Sequence, residues 1–421
     1  MVWNSKTCLQ VESLVMKRQL PRWKNIKPLL GWSLPKFPLQ DKKLKKVVNM
    51  AEMRNLAKKR VPKAVFDYVD GGANDELAYA RSQEVYSKVE FKARVLRDVS
   101  KIDLTAEILD AKTSLPIIFA PTGYTRMMHY KGEVMVAKVC QENNLVYNLS
   151  TMGTTSSKEI GEQVPGVRRW FQLYLWRDRD QSLKFIEEAK EAGFEGLMLT
   201  VDTAVGGIKW RDMRNGLTVP PKIGLKTFFD MALKPRWWFN LLTTAPLEFA
   251  TFRNFNKPLS EIAAKVFDPA VTFEDVKWLR SVWQGKLIIK GIQTVEDATE
   301  LSKIGVDAIV LSNHGGRQLD RSVVPLELLP SVRSAIGSKG SGPQIYLDGA
   351  IMSGADVIAA IALGADAVLI GRAYLYGAMS AGESGVKKVV ELFRFEMETA
   401  MKLMGAKNLG ELNPNFVNIR A

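Results

Sequence analysis

From Leu115 onward, short runs of β-branched and other apolar residues alternate with stretches whose apolar positions repeat at helical spacing. Eight such runs predict strands at 115–120, 146–150, 169–175, 196–202, 286–291, 308–313, 344–349 and 367–371. Helical patterns lie between them, as at 178–193, 294–305 and 354–363, several opened by a capping residue and closed by glycine. Thr294 and Asp297 have the spacing of a capping box. Short apolar strands separated by single helices argue for a parallel (β/α)8 barrel, here spanning about 115–405. Upstream, 51–70 reads as one helix, with periodic apolar positions through Phe66. Residues 1–50 carry Pro21, Pro28, Pro35 and Pro38 and read as a surface extension ahead of a 51–421 domain.

The rhythm breaks once. Residues 203–271 are too long for an ordinary βα loop and fall at the face where barrels build their active sites. Within this stretch, 236–252 holds two Trp, three Phe and three Leu. That is too short to span a bilayer and too apolar for a loop left in water. Lys222, Lys226, Lys234, Arg236, Arg253 and Lys257 flank it. Two readings stay open: a lid or subunit interface, and a monotopic anchor with Trp at headgroup level.

Composition adds limits. With 421 residues, 46% hydrophobic and 25% charged, the chain is ordinary globular protein rather than a disordered or fibrous one. Cys8 and Cys140 alone make neither a disulfide framework nor a zinc site, so no metal is expected. The net charge of +14 is concentrated: residues 1–60 hold 15 Lys/Arg against three acids, and the remaining 361 hold 44 against 42. Such a basic extension is either a solvated face or an attachment to anionic lipid. No recognition motif accompanies it, so nucleic acid is not an expected partner. The first residues lack the basic, apolar and small-residue order of a signal peptide, and no run is long enough to span a bilayer. The expected place is the cytoplasm, with a peripheral position on the inner face of the plasma membrane as the variant; a eukaryotic chain would be mitochondrial.

Polar residues mark every predicted strand end, where barrel enzymes keep their chemistry. Of two histidines, His129 reads as structural or surface, in a loop with Arg126 and Lys131. His314 follows a buried strand and precedes Gly315, Gly316 and Arg317. Glycines admit close approach of a ligand, and an arginine can grip a carboxylate with two parallel bonds. A base beside such a clamp suits removal of a proton from, or next to, the α-carbon of a hydroxy acid. No Gly-x-Gly-x-x-Gly after a strand and no P-loop occur, which excludes nicotinamide-Rossmann and NTPase readings.

The run Ser312-Asn-His-Gly-Gly-Arg-Gln-Leu-Asp320 resembles the active-site signature of FMN-dependent α-hydroxy-acid oxidoreductases, the family of glycolate oxidase, lactate oxidase and L-lactate and mandelate dehydrogenases. The resemblance covers about 51–412 in register. It includes Phe66-Asp-Tyr-Val-Asp-Gly-Gly-Ala73, Ala120-Pro-Thr-Gly123, Phe171-Gln-Leu-Tyr174, Leu199-Thr-Val-Asp-Thr203, Ile289-Lys-Gly291 and Ile370-Gly-Arg372. It implies His314 as the base and Asp202 as the carboxylate that holds its imidazole. It implies Arg317 and Tyr68 on the substrate carboxylate, Tyr174 on the substrate hydroxyl, and Lys290 against the flavin N1–O2 edge, where it stabilises the anionic reduced flavin. Pro121, Thr122, Gly123, Ser150, Gln172, Thr200 and Ser312 would contact the isoalloxazine and ribityl chain. Asp348, Gly349, Ala350, Gly371 and Arg372 would hold ribityl and phosphate.

Departures from the family pattern qualify this. Where Asp-Gly-Gly-x-Arg is usual, Asp348-Gly-Ala-Ile-Met352 stands, so one charge-assisted phosphate contact is lost and FMN should bind more weakly than usual. Lys209 occupies the place of an active-site arginine, keeping charge but not bidentate geometry. Met152 falls at a variable pocket position and suits a medium aliphatic or aromatic acid, with lactate as the default. The resemblance thus implies oxidation of an L-2-hydroxy acid to the 2-keto acid, with electrons leaving to a quinone, a cytochrome or oxygen. Gly123 resembles the membrane dehydrogenases more than the oxidases, which often carry Ala there. A homo-oligomer, commonly a tetramer or larger, is the family's habit. The alternative is a catalytically weakened FMN-barrel protein with a binding or regulatory role, motivated by Met352 and Lys209.

Overall fold

Eight parallel strands close into a barrel: β1 Ile117–Phe119, β2 Val146–Ser150, β3 Arg168–Leu173, β4 Gly196–Thr200, β5 Lys286–Ile292, β6 Ala308–Leu311, β7 Gln344–Leu347 and β8 Ala367–Ile370. The computed structural model describes residues 41–216, 224–253 and 267–420. The basic residues and prolines of 1–40, together with Lys222, Lys257 and the Lys226 side chain, lie outside that description. The barrel belongs to a unit running from Lys43 to Ala421. β8 pairs with β1 in the register Val368↔Ile117, Leu369↔Ile118 and Ile370↔Phe119, which completes the ring.

Strand side chains alternate, so each apolar run feeds two cores at once. Every strand sends at least one residue into the barrel interior: Ile118, Val146, Trp170, Met198, Ile288, Val310, Tyr346 and Leu369, with Ala308 and Ala367 beside them. Their neighbours, such as Ile117, Phe119, Leu197, Ile289 and Val368, pack outward against the helices. The bottom is stoppered by a hairpin, Ala106–Ile108 with Ala111–Thr113, whose Ile108 and Leu109 join the interior core. Arg168 fastens it by donating to the carbonyls of Ile108 and Ala111 at 3.0 and 3.3 Å. With the bottom filled, a ligand has only the C-terminal face to enter.

Two expectations change. The stretch 51–70 is two helices, Met50–Arg60 and Lys63–Asp70, because Pro62 forces the preceding Val61 into extended backbone (φ −113°, ψ 162°). The break turns the second helix toward the barrel mouth, where Tyr68 lines the cavity. The stretch 236–252 is not uniform either. Helix Pro235–Leu242 exposes Trp238, Phe239 and Leu242, whereas Ala250 and Phe252 are buried in the barrel core. A second short helix, Leu225–Ala232, lies ahead of it and exposes Leu225, Phe228 and Phe229.

Candidate active site

The strand ends open onto one cavity of about 290 Å³. Beyond β6 the backbone passes through three consecutive left-handed residues, His314 (φ 57°), Gly315 (φ 61°) and Gly316 (φ 71°). Glycine is required at the last two: a Cβ on Gly315 would lie 2.6 Å from Arg372 Nη1, and one on Gly316 2.7 Å from the Tyr79 nitrogen. A non-glycine residue held left-handed costs roughly 1–3 kcal/mol and persists where its surroundings enforce it. Here the His314 N–H donates to Ser312 Oγ (3.0 Å), and the Gly316 N–H to Asn313 Oδ1 (3.1 Å). Asp320, the last residue of the signature, accepts the Ala78 and Asp75 N–H groups (2.8 and 3.1 Å) at the start of helix Leu77–Ser87.

That turn aims the imidazole. His314 Nδ1 lies 3.0 and 3.2 Å from the two oxygens of Asp202, leaving Nε2 as the free nitrogen of a ring that lines the cavity. The Asp202 side chain is 2% exposed against 26% for His314, so the carboxylate stands behind the ring rather than beside a ligand. Burial pushes the Asp202 carboxyl up, but the His314 ring, its hydrogen bond and the Lys290 charge together hold it below the usual range. A β-bulge at Gly291 (φ 108°) makes room for it, since a Cβ there would meet Asp202 at 2.8 Å.

Lys290 is buried at the floor, with Nζ 2.9 Å from Asp348 Oδ2 and 2.8 Å from Ser312 Oγ. Burial favours its neutral form, yet Asp348 and Asp202 keep its pKa above the ordinary lysine value. On the opposite side Arg317 spends Nη1 on the carbonyls of Tyr68 (2.7 Å) and Gly71 (2.9 Å), which leaves its Nε–Nη2 edge without a partner among the described residues. Its guanidinium sits 5.2 Å from the Tyr68 ring. Burial raises the pKa of both the Tyr68 and the Tyr174 hydroxyl, keeping them protonated donors. Lys209 lines the same wall with Nζ 3.1 Å from the Gly207 carbonyl. Burial and then the Arg317 charge push its pKa down to about 8.

The residues expected to hold FMN divide into two layers. Pro121, Thr122, Gly123, Ser150, Asp348, Gly349, Ala350, Gly371 and Arg372 line the cavity, as do Met152 and Met352. Gln172, Thr200 and Ser312 stand behind them; Gln172 Oε1 accepts from Ser150 Oγ at 2.9 Å. Gln172 Nε2, Thr200 Oγ1 and Asp348 Oδ1 are buried at the ends of β3, β4 and β7 with no hydrogen-bond partner among the described residues. Leaving buried polar atoms unpaired costs about 1–3 kcal/mol each, so a ligand with a polar edge is called for here. A flat ring bearing carbonyl and N–H groups supplies that edge, and the residues fit FMN. Arg372 donates to the carbonyls of Val69, Gly315 and Gly71 at 2.7–3.0 Å, which fixes its guanidinium at the far end.

Two groups escaped sequence reasoning. Asp212, one helical turn beyond Lys209, is buried, and its carboxyl is raised by burial against the pull of Arg317 and Lys209. Its i, i+3 spacing from Lys209 could have revealed it. Phe249 lines the cavity and meets Tyr124 edge-on at 4.4 Å between ring centres, a contact no local pattern announces. His129 is half-buried and does not line this cavity, and burial followed by Lys131 and Arg236 pushes its pKa down to about 4.

Residues 57–419 match the model of the FMN-dependent dehydrogenase family. A Mycobacterium tuberculosis protein provisionally described as an L-lactate dehydrogenase is 44% identical over 404 residues, covering 96% of this chain and 97% of that protein. Human 2-hydroxyacid oxidase 1 is 34% identical over 376 residues, 89% of this chain and 97% of that one. The crystal structure of the monotopic membrane protein (S)-mandelate dehydrogenase superposes with a TM-score of 0.84 at 32% identity, covering 89% of this chain and all of that one. With the histidine–carboxylate pair and an FMN-shaped cradle at one barrel mouth, the chain belongs to the FMN-dependent dehydrogenase family, whose chemistry is the oxidation of 2-hydroxy acids.

Proposed function

We propose that this chain oxidises a small L-2-hydroxy acid, lactate or a close aliphatic relative, and delivers the electrons to a quinone or cytochrome at a membrane surface. The observation that carries the reading is the His314–Asp202 pair facing the same cavity as the unpartnered edge of Arg317. Arg317 binds the substrate carboxylate, with Tyr68 beside it and Lys209 as a second cation. Tyr174 donates to the substrate hydroxyl. His314 Nε2 takes the proton, and Asp202 stabilises the imidazolium that results, as carboxylates do behind other catalytic histidines. FMN, when bound, would accept the two electrons lost by the acid together with the second of its two protons. Gln172, Thr200 and Ser150 would hold its ring edge, and Lys290 would supply a fixed positive charge at the N1–O2 edge. Gly349, Ala350, Gly371 and Arg372 would take the phosphate end.

A small acid is favoured because the wall left to the substrate beside FMN includes the side chains of Met152 and Phe249. The membrane reading is supported by the apolar side chains exposed on helices Leu225–Ala232 and Pro235–Leu242, and by the likeness to a monotopic membrane dehydrogenase. No helix among the described residues is long and apolar enough to cross a bilayer, so the attachment would be peripheral. Purified protein should be yellow and should bleach anaerobically on addition of L-lactate; subsequent turnover should be faster with a quinone analogue than with oxygen. A flavin that stays oxidised with every 2-hydroxy acid tried would sink the reading.

A further inference from the structure

A second cavity, of about 470 Å³, lies between helix Gly132–Glu142, the start of helix Ser157–Gln163 and the segment from Thr244 to Arg253. Its wall carries Arg126, Lys131, Lys138 and Arg253 against Glu159 and Glu383. Both acids are already paired, Glu159 with Arg253 at 3.0 Å and Glu383 with Lys387 at 2.8 Å. Among the described residues, no carboxylate lies within ion-pair distance of Arg126, Lys131 or Lys138. Arg126 is only 9% exposed, and its guanidinium donates to neutral oxygens alone: the carbonyls of Tyr130, Ala245 and Pro246 and the Thr244 hydroxyl. Lys131, which caps helix Gly132–Glu142, and Lys138 within it are exposed, and both line this cavity. Glu383 also feels the charges of Lys131 and Lys138, so one carboxylate is shared among three lysines. A wall with four cations against two acids, and a buried Arg126 bonded only to neutral oxygens, favours an anion.

Position narrows the anion. The cavity wall includes Thr244 and Ala245, which follow directly on helix Pro235–Leu242 with its exposed Phe239 and Leu242. An apolar surface and a cationic hollow therefore adjoin, the arrangement that acyl chains and a charged headgroup would match.

We propose that this cavity binds the phosphate of an anionic phospholipid headgroup beside the membrane-facing helices. The inference rests on the membrane reading above, and its test separates the two. Full-length, FMN-loaded protein is sedimented with phosphatidylcholine vesicles with and without phosphatidylglycerol. Three proteins are compared: wild type, Lys131→Ala/Lys138→Ala, and a control of equal charge, Lys184→Ala/Lys190→Ala, on helix Arg179–Glu191. The pocket pair should weaken phosphatidylglycerol-dependent binding by about thirtyfold, two basic side chains' share of the attraction to a charged leaflet. The control pair should fall by much less, and binding to phosphatidylcholine alone should be the same for all three. Equal losses in both pairs would overturn the site, leaving only diffuse charge. If wild type binds no vesicle, the membrane reading fails and the lipid goes with it. Calorimetry with glycerol 3-phosphate then decides the remaining chemistry: binding lost in the pocket pair would assign a free phosphate ligand in place of lipid, and no binding would overturn the anion site itself.

Discussion

His314 gains its position from a left-handed turn that only the two following glycines permit, and its direction from Asp202. Replacing it with Gln should leave the protein yellow while turnover falls by at least ~10²–10⁴-fold, the range of acid–base catalysis; near-normal turnover would show the base to be elsewhere. Lys209 offers a test that an arginine would not. Burial and Arg317 lower its pKa to about 8, so its charge is complete only well below pH 8 and is lost as pH rises through that value. Because kcat/KM follows groups of the free enzyme, it should decline above about pH 8, and Lys209→Arg should remove that alkaline limb. A profile unchanged by the substitution would take Lys209 out of substrate binding. Met352 lines the cavity where the family pattern has arginine. Met352→Arg should tighten FMN retention by about tenfold or more, the worth of one charge-assisted bond, read by equilibrium dialysis of the flavin. At this scale the sequence was most informative: the residues expected to meet the cofactor line the cavity or stand directly behind its lining. Phe249 was hidden because its importance comes from neighbours distant in the chain, whereas Asp212 left a local trace in its spacing from Lys209.

Elements were legible wherever periodicity alone decides them. β2 falls at its expected bounds, and the other strands differ by a few residues at the ends, where the chain leaves the ladder to supply ligands. Local grammar beat periodicity at Pro62, which divides an apparently continuous helix. The hairpin stopper at 106–113 was invisible because each arm is three residues long. The division at Pro62 has a structural consequence, since helix Lys63–Asp70 ends in a buried carboxylate that collects three partners. Asp70 accepts from Arg54 (2.7 Å), Arg211 (2.9 Å) and the Tyr376 hydroxyl (2.8 Å). Arg211 belongs to helix Trp210–Asn215 and also reaches Glu76, so the network ties the segment after Lys209 to the segment carrying Tyr68. Asp70→Ala strands the buried Tyr376 hydroxyl and unpairs two half-exposed arginines. It should cost roughly 1–3 kcal/mol, the penalty for a buried polar group left without its partner, seen as a lower denaturation midpoint. Burial pushes the Asp70 carboxyl up, but its hydrogen bonds to Arg54, Tyr376 and Arg211 hold it below the unfolded value near 3.9. Its contribution is therefore complete above about pH 4 and is lost only as pH falls through the lower, folded-state value. A midpoint in the variant equal to wild type at neutral pH would show the network to be ornamental.

Over the whole molecule, charge and apolar surface are unevenly shared, and the 203–271 insertion is where sequence reading reached its limit. Composition marked 236–252 as too apolar for water but could not say which part faces out, because that depends on docking against helices far away in the chain. Leu233 at 78% exposed, Leu242 at 75% and Phe229 at 63% belong to a surface that begins before residue 236. The Lys63 N–H donates to Asp230, and Lys234 Nζ donates to the Lys59 carbonyl at 2.8 Å, so helix Leu225–Ala232 and its end are fastened to the barrel unit by polar contacts while its apolar residues face out. From Thr244 onward the chain turns back: Arg126 grips three successive residues, Phe249 enters the cavity wall and Phe252 packs beside Phe185 and Trp176. Excising 236–252 would therefore remove the proposed membrane surface and a piece of the active site together. The proposed attachment is better tested by changing the outer face alone. A variant with Phe228→Ser, Phe229→Ser, Leu233→Ser, Phe239→Ser and Leu242→Ser should leave the vesicle pellet for the supernatant, yet keep its flavin and wild-type oxidation of L-lactate with an artificial dye. The 236–252 deletion should lose that oxidation, because Phe249 and Phe252 go with it. If the serine variant still sediments with vesicles, these helices are a lid or an interface between subunits rather than the anchor; a deletion that remains active would instead take Phe249 and Phe252 out of the active site.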